Sequence, residues 1–406
     1  MKKICFLTKS MNVGGVEKTL INLCKIMQEE QCTIDIILVK KEGTLLSQIP
    51  KYVTISELEL PEILRDLLLN YGNDFTNLVK ESLSKKRYFK CAFYYLIKIC
   101  NRLAELFFNY NLLFGLAYLF TKTNLKEYDV ICDYHGYAYF TTYFVAKESR
   151  KYSKKSFSWI HEENISKEYM YISNSYNIFY RIFGVSRECV CNFKKQFPFI
   201  DQEKVQVLHN IVFKEELLRK SNVPPEKEYH YPNKTFIVSV GRLSYQKGFD
   251  LALYCAKEMK QRGIEFFWLI IGDGEEKKAL SELINKLELS DCVFLHGNSN
   301  NPYPYIKNAK IYVQTSRYEG FATTITEAVL LNKPVVSTKV SGVTEQVSNG
   351  KSGYIVDFDE KQLCDAIEKI IVDGELCNSF VKATESTNLD SANTIKKLVE
   401  YFGLAK

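Results

Sequence analysis

Short apolar runs of strand length, each followed by a segment with helical spacing, recur along this chain in two separate series, and that alternation most narrows what it can fold into. In the first series KKICFLT leads into GGVEKTLINLCKIMQEE, which sets Val16, Leu20, Leu23, Cys24 and Met27 on one helical face, and then into CTIDIILVK. Such a pattern describes a strand, a helix and a second, parallel strand. Further strand-like runs follow at YDVICDYH, SFSWIHE, RIFGVS and KVQVLHN, and residues 60–126 read as an inserted set of aromatic-rich helices. A charged stretch with Pro224, Pro225 and Pro232 then breaks the pattern and reads as a linker. Beyond it a second series begins: TFIVSVGRLS, FFWLIIGDG, CVFLHG, IYVQTS, PVVST and GYIVD.

The 406 residues exceed the roughly 250–300 at which one core stops growing. The expected architecture is therefore α/β, with two parallel-sheet domains facing each other across a cleft. The first spans 1–212, including the helical insertion near 60–126; 213–234 is the linker; the second domain spans 235–388. A C-terminal helix within 389–406 is expected to pack back on the first domain. Ligands of open parallel sheets lie outside the carboxyl ends of the strands, so the polar loops there are the candidates for chemistry.

Composition excludes some classes. With 46% hydrophobic and 25% charged residues the chain is neither disordered nor repetitive, and a net charge of +6 over this length does not imply a nucleic-acid partner. Twelve cysteines without a C-x-x-C pair fit packed thiols in a reducing, cytoplasmic setting. MKKICFLTKS has too short an apolar run for a signal peptide. The apolar stretch Cys91 to Phe120 is interrupted by Lys98, Asn101, Arg102, Glu105, Asn109 and Asn111, which argues against a spanning helix.

In the second series, GRLSYQKG offers Arg242 and Lys247 after a strand. Two cations there suit a diphosphate; a solvated basic loop is the other reading. IIGDGEE supplies Gly272 and Gly274, but Lys277 stands where a dinucleotide fingerprint needs glycine, so a tight turn with a secondary ligand contact is expected. The Asp357-x-Asp359 pair reads as an exposed turn, and no metal site is expected. SRYEGFATTITEA spaces Glu319 and Glu327 eight residues apart around Gly320 and Phe321. A helix starting near Ala322 or Thr323 would turn free N–H groups toward a phosphate, with Thr323 and Thr324 beside it. Two carboxylates there suit the hydroxyls of a sugar beside a nucleoside diphosphate; two unrelated surface glutamates are the alternative.

Taken in order, Arg242 and Lys247, IGDGEE, FLHG, and Glu319 and Glu327 in SRYEGFATTITEAVLLNKPVVST resemble the donor-binding domain of the family 4 retaining glycosyltransferases of GT-B fold, over residues 235–357. MNVGGVEKTL is similar to that family's Gly-Gly loop. The resemblance implies that Arg242 and Lys247 hold the diphosphate as leaving group, that Glu319 binds donor-sugar hydroxyls and Glu327 the ribose, and that backbone near Leu295 to Gly297 borders the base. It implies that Gly14 and Gly15 let the backbone approach diphosphate and acceptor, and that His161 contacts the donor sugar as a neutral or charged donor. A strand-end histidine satisfied by backbone is the plainer reading of His161. His135 is suggested as acceptor-side lining. The family usually has glycine where Ala322 stands and glycine before Pro334, where Asn332 could take positive φ.

The resemblance further implies metal-free transfer of a sugar from a nucleotide sugar, most commonly a UDP-sugar, to a saccharide acceptor, with no separate cofactor. Between Asn77 and Arg102 seven Lys or Arg residues accompany one acid, Glu81. Two readings of this segment stand: an interfacial surface on the inner face of an anionic membrane, suited to a lipid-linked acceptor in cell-surface polysaccharide assembly, or ordinary helices with buried aromatics and solvated cations. A sugar-nucleotide epimerase of like architecture and a non-catalytic nucleotide-sugar binding protein are the competing functions.

Overall fold

The computed structural model describes residues 1–404 except 13, 31, 71–75, 86, 109–110, 124, 137–138, 164–173, 388 and 390. The chain forms two compact units: Met1–Leu208 with Thr394–Lys406, and His209–Asn393.

Unit 1 is built on a parallel sheet of seven strands: β1 (Lys3–Thr8), β2 (Thr33–Leu38), β3 (Thr54–Glu57), β4 (Tyr128–Asp133), β5 (Ser153–Ile160), β6 (Arg181–Gly184) and β7 (Val205–Val207). Their order is β3-β2-β1-β4-β5-β6-β7. Strands covered on both faces read as continuous apolar runs, and Ile4, Cys5, Phe6 and Leu7 of β1 are all fully buried. The helices are α1 (Gly15–Glu29), α2 (Glu62–Leu69), α3 (Thr76–Ser84), α4 (Tyr88–Phe108), α5 (Leu112–Phe120), α6 (Phe140–Tyr152) and α7 (Arg187–Gln196). Helices α2 to α5 make up the insertion between β3 and β4. Asn111 caps α5 by accepting from the Phe114 N–H. Among the described residues no helix is long and apolar enough to cross a membrane.

Unit 2 holds six parallel strands, β8 (Thr235–Val240), β9 (Phe266–Ile271), β10 (Val293–Gly297), β11 (Ile311–Gln314), β12 (Val335–Thr338) and β13 (Gly353–Val356), in the order β10-β9-β8-β11-β12-β13. Its helices are α8 (Lys214–Ser221), α9 (Phe249–Gln261), α10 (Lys277–Lys286), α11 (Tyr303–Asn308), α12 (Thr323–Leu330), α13 (Val343–Gln346), α14 (Glu360–Val372) and α15 (Gly374–Ser386). One core, around Trp268, Phe249 and Ile367, lies on one face of the sheet; another, around Tyr312, Ile325 and Val329, lies on the other. The Trp268 indole N–H finds the Ser239 hydroxyl at 3.0 Å, so burying it leaves no polar atom unmet.

The segment 213–234, expected as a linker, belongs to unit 2. Its first part is α8, which buries Leu217 beside Val212, and Tyr229 and Tyr231 further along pack on the same core. Its charges mislead because only one face of α8 is buried, and the division of the chain falls earlier, between Leu208 and His209. The last helix, α16 (Ala392–Phe402), groups with unit 1 from Thr394 onward. Its Phe402 ring lies 4.9 Å from that of Phe157 and 6.3 Å from that of Phe6, and Lys155 donates to the Tyr401 carbonyl at 3.0 Å. Asp359 is the N-cap of α14, accepting from Lys361 and Gln362 N–H, which accounts for the Asp-x-Asp spelling.

Candidate active site

In unit 2 the strand order reverses between β8 and β11, since the chain runs outward from β8 through β9 to β10 and then returns to the other side of β8. A crevice at such a reversal is where open α/β sheets bind ligands. Arg242 and Lys247 follow β8, Gly272 follows β9, Leu295 and Gly297 end β10, and Glu319 through Thr324 follow β11. These residues thus stand at the carboxyl ends of the strands of one sheet, with Glu327 one turn into α12.

The two loops flanking the reversal are tied together. Arg317 grips Asp250 with two bonds of 2.9 and 2.6 Å, donates to the Tyr245 carbonyl at 2.8 Å and stacks on the Tyr245 ring at 4.0 Å. Gln246 donates to the Tyr318 carbonyl, and the Thr315 hydroxyl to the Lys247 carbonyl. At the centre of this clamp Lys247 Nζ meets Glu319 Oε1 at 2.5 Å. Glu319 is only 6% exposed. Its Oε1 also accepts from Ser316 Oγ at 2.6 Å and Gln314 Nε2 at 3.3 Å, so among the described residues the donors to this carboxylate converge on one oxygen. The sequence foresaw Glu319 and Lys247 as separate ligand groups; in the structure they are also each other's partner. A desolvated pair of this kind holds its geometry because losing either member strands the other charge.

Helix α12 begins at Thr323, with Ala322 as an N-cap in extended conformation that supplies no side-chain bond. Ile325 N–H returns to the Ala322 carbonyl, while the N–H groups of Thr323 and Thr324 meet no acceptor among the described residues. Those two amides carry the positive end of the helix dipole. Glu327 is buried, and its Oε1 accepts from the Tyr303 hydroxyl at 3.1 Å. Asn332 takes φ 59°, the conformation that permits its place before the Lys333-Pro334 pair. Arg242 is exposed. Gly272, at φ 150°, has room only for hydrogen: a Cβ would lie 1.8 Å from the Gly241 carbonyl oxygen.

Sequence reasoning missed the polar relay beneath Glu319. Gln314 is buried, donates to Ser316 Oγ at 2.7 Å as well as to Glu319, and accepts from the Tyr312 hydroxyl at 2.7 Å and Thr324 Oγ1 at 3.2 Å. A glutamine closing an otherwise apolar strand was the one available signal. Gln314→Leu removes four bonds from a buried network and is expected to lower the unfolding free energy by about 1–3 kcal/mol, measured by urea denaturation. Retention of full stability would show the relay to be dispensable.

Unit 1 has its own reversal, between β1 and β4. The β1–α1 loop with Gly14 and Gly15 follows the first of these strands, and His135 follows the second; His161 follows β5. Gly14 is the N-cap of α1 in extended conformation, φ −165°, so its backbone angles do not themselves require glycine. Thr8 Oγ1 lies 3.5 Å from His135 Nδ1, and Lys9 stands over the Tyr139 ring, which itself packs on His135. Burial, then the Lys9 charge and His161, push His135 down to about 3. Asp133, fully buried between these loops, accepts from the Gly136 N–H and the Thr141, Thr142 and Ser158 hydroxyls; burial raises its pKa and those bonds oppose the rise.

His161 Nε2 sits 2.7 Å from the Tyr134 carbonyl oxygen. A carbonyl only accepts, so Nε2 carries the proton and Nδ1 of the neutral ring is an acceptor. The expectation of a neutral or charged donor toward a sugar is corrected accordingly: burial lowers this histidine to about 4, partly countered by the Tyr134 bond. The consequence for stability has a definite sign. Unfolded histidine protonates near 6.5. Stability from keeping His161 neutral is whole above that pH and is lost as pH falls from about 6.5 toward 4, at up to about 1.4 kcal/mol per pH unit. His161→Asn is expected to flatten the fall of the thermal midpoint across this window relative to the parent protein. Identical slopes would refute the assignment.

Comparison with known proteins gives a consistent pattern. Residues 222–387 match the family model described as glycosyl transferases group 1. The chain is 35% identical over 139 residues to an uncharacterized glycosyltransferase, MJ1059, of Methanocaldococcus jannaschii, covering 34% of each protein. It is 32% identical over 162 residues to the capsular polysaccharide biosynthesis glycosyltransferase CapM of Staphylococcus aureus, covering 37% of this chain and 41% of that one. Aligned regions span about a third to a half of the length of the curated relatives. Over nearly the whole length the fold is that of Anabaena Alr3699/HepE, solved in complex with UDP, with a TM-score of 0.70, 18% identity, and coverage of 99% of this chain and 100% of that one.

Proposed function

We propose that the protein is a retaining glycosyltransferase, since residues 222–387 match the family model described as glycosyl transferases group 1 within a chain of GT-B fold. It moves a sugar from a UDP-sugar to a lipid-linked saccharide acceptor in the assembly of a cell-surface polysaccharide. The observation that carries this reading is the Lys247–Glu319 pair beside the open N–H groups of Thr323 and Thr324, at the strand reversal of unit 2. A solved neighbour holding UDP and a relative named for capsular polysaccharide biosynthesis support the donor and the setting.

The chemistry follows from charge. When the glycosidic bond to a nucleoside diphosphate breaks, negative charge grows on the departing β-phosphate. Lys247, with two ammonium hydrogens beyond the one spent on Glu319, Arg242 and the α12 amides stabilise that charge where it develops. No metal is needed for it in this proposal. Glu319 offers the donor sugar its second oxygen, Glu327 takes the ribose, and Gly272 and the Leu295–Gly297 edge border the rest of the nucleotide. In unit 1, the Gly14–Gly15 loop and His135 serve the acceptor side, and His161 accepts from a sugar hydroxyl through Nδ1.

The test is a thermal-shift panel of the purified protein against UDP, GDP, ADP and their sugar conjugates, with Mg²⁺ and with EDTA. The expected result is a metal-independent rise for uridine nucleotides, and release of UDP from the sugar conjugate only when acceptor is added. Conversion of the donor sugar without acceptor would instead indicate an epimerase, and binding without turnover a non-catalytic protein.

A further inference from the structure

Helix α4 packs on the rest of the insertion through Cys91, Tyr94, Ile97 and Asn101, all buried. The opposite side of the same helix is apolar as well. Phe89, Ala92, Leu96, Ile99 and Leu103 follow one another at spacings of three and four residues, which places them on one stripe. Phe89 is 82% exposed, Leu96 57% and Ile99 58%. Folded chains seldom leave a continuous row of large apolar side chains in water unless something covers it.

The charges beside the stripe say what covers it. Stepping 100° per residue, Tyr88, Tyr95 and Arg102 fall along one border of the row, and Lys98, exposed, lies about 40° beyond Arg102, past the buried Cys91. Arg87 and Lys90 belong to the side turned toward α2, where both approach Glu62. From Arg87 to Ala104 the sequence contains no Asp or Glu. Along α4 itself the one acid is Glu105, beyond the last residue of the stripe, so Lys98 and Arg102 leave this side of the helix cationic. A layer of anionic lipid meets both features: acyl chains take the apolar row, tyrosines suit the headgroup depth, and phosphates meet the cations.

We propose that the outward stripe of α4 is a docking surface for an anionic membrane, on which the protein lies without spanning. The proposal stands on this surface alone and does not depend on the donor site of unit 2. It also places the chain where a lipid-linked acceptor would be met.

The experiment is flotation of the full chain with vesicles of phosphatidylcholine alone and of phosphatidylcholine rich in phosphatidylglycerol, at low and high salt. Binding is expected to the anionic vesicles only, and to weaken with salt. Lys98→Gln with Arg102→Gln should reduce partitioning about thirty-fold, at about fivefold per cation removed. Leu96→Glu with Ile99→Glu should abolish it. The four substituted side chains are exposed, so the thermal midpoint of the free protein is expected to hold, which separates a lost surface from a lost fold. Equal binding to neutral vesicles, or anionic binding untouched by either variant, would overturn the proposal. So would a dimer of the parent protein that Leu96→Glu with Ile99→Glu dissociates, since a second copy would then own the stripe. A failure of the nucleotide panel would leave this result standing, and the reverse is also true.

Discussion

Replacing Lys247 with alanine is expected to lower sugar transfer by about 10²–10³-fold and to cost stability at the same time. The first effect follows from the proposed function, in which Lys247 meets the departing diphosphate. The second follows from what remains: Glu319, 6% exposed and held by Ser316 and Gln314, would keep a buried negative charge with no counter-ion. Breaking a buried pair from one side costs about 3–5 kcal/mol. Glu319→Gln keeps the shape and loses the charge. Combined with Lys247→Met it should recover much of the stability, because a neutral pair is buried more cheaply than a single ion, while transfer stays lost. Urea denaturation and initial rates with the nucleotide sugar chosen by the binding panel read the two effects separately. A fully active double variant would sink the site assignment.

Gly248→Ala should be nearly as damaging, although the residue carries no functional group. It joins Lys247 to α9 at φ 60°, ψ 35°, a left-handed conformation that a Cβ disfavours. A Cβ there would stand 2.2 Å from the Thr315 carbonyl oxygen and 2.9 Å from the Phe358 ring. Thr315 cannot yield independently, since its hydroxyl is bonded to the Lys247 carbonyl and it leads directly to Ser316 and Glu319. The alanine must push the β8 and β11 loops apart and separate Lys247 from Glu319. A loss of roughly 2–4 kcal/mol is expected, from backbone strain and the forced displacement together. Gly263→Ala is the control: it also has positive φ, 73°, but nothing lies within 4 Å of its Cβ, so only the strain term of about 1 kcal/mol should appear. Equal losses at the two positions would mean that the contact with Thr315 carries no weight.

The strands that the chain buries on both faces were legible because such strands need continuous apolar runs, as in KICFLT and FFWLII. The strand β3, TISE, was not, because an edge strand with polar and half-buried residues has no such signature. Charge hid α8 for a related reason: periodicity in KEELLRKS rests on Leu217 and little else. At the candidate site, the carboxylates and cations were singled out from their order and spacing, and the structure brings them to the strand ends of one sheet. Their mutual pairing could not, because Lys247 and Glu319 lie 72 residues apart and meet only through the sheet order. The same holds for Asp133, whose Thr141 and Ser158 partners come from α6 and β5, and for the tautomer of His161, which the Tyr134 carbonyl sets.

Unit 1 is closed by Phe402 against Phe6, Phe157 and Trp159, yet residues 209–393 of unit 2 are synthesised before that phenylalanine exists. Order of birth along the ribosome is therefore not order of completion. Unit 2, continuous in the chain, can acquire its fold during translation, whereas the first-made sheet waits with an aromatic face uncovered until the tail emerges. During that interval the nascent chain is a natural client for a chaperone that shields apolar surface. A frameshift or stop codon just ahead of Thr394 would leave a finished second unit tethered to an unfinished first one.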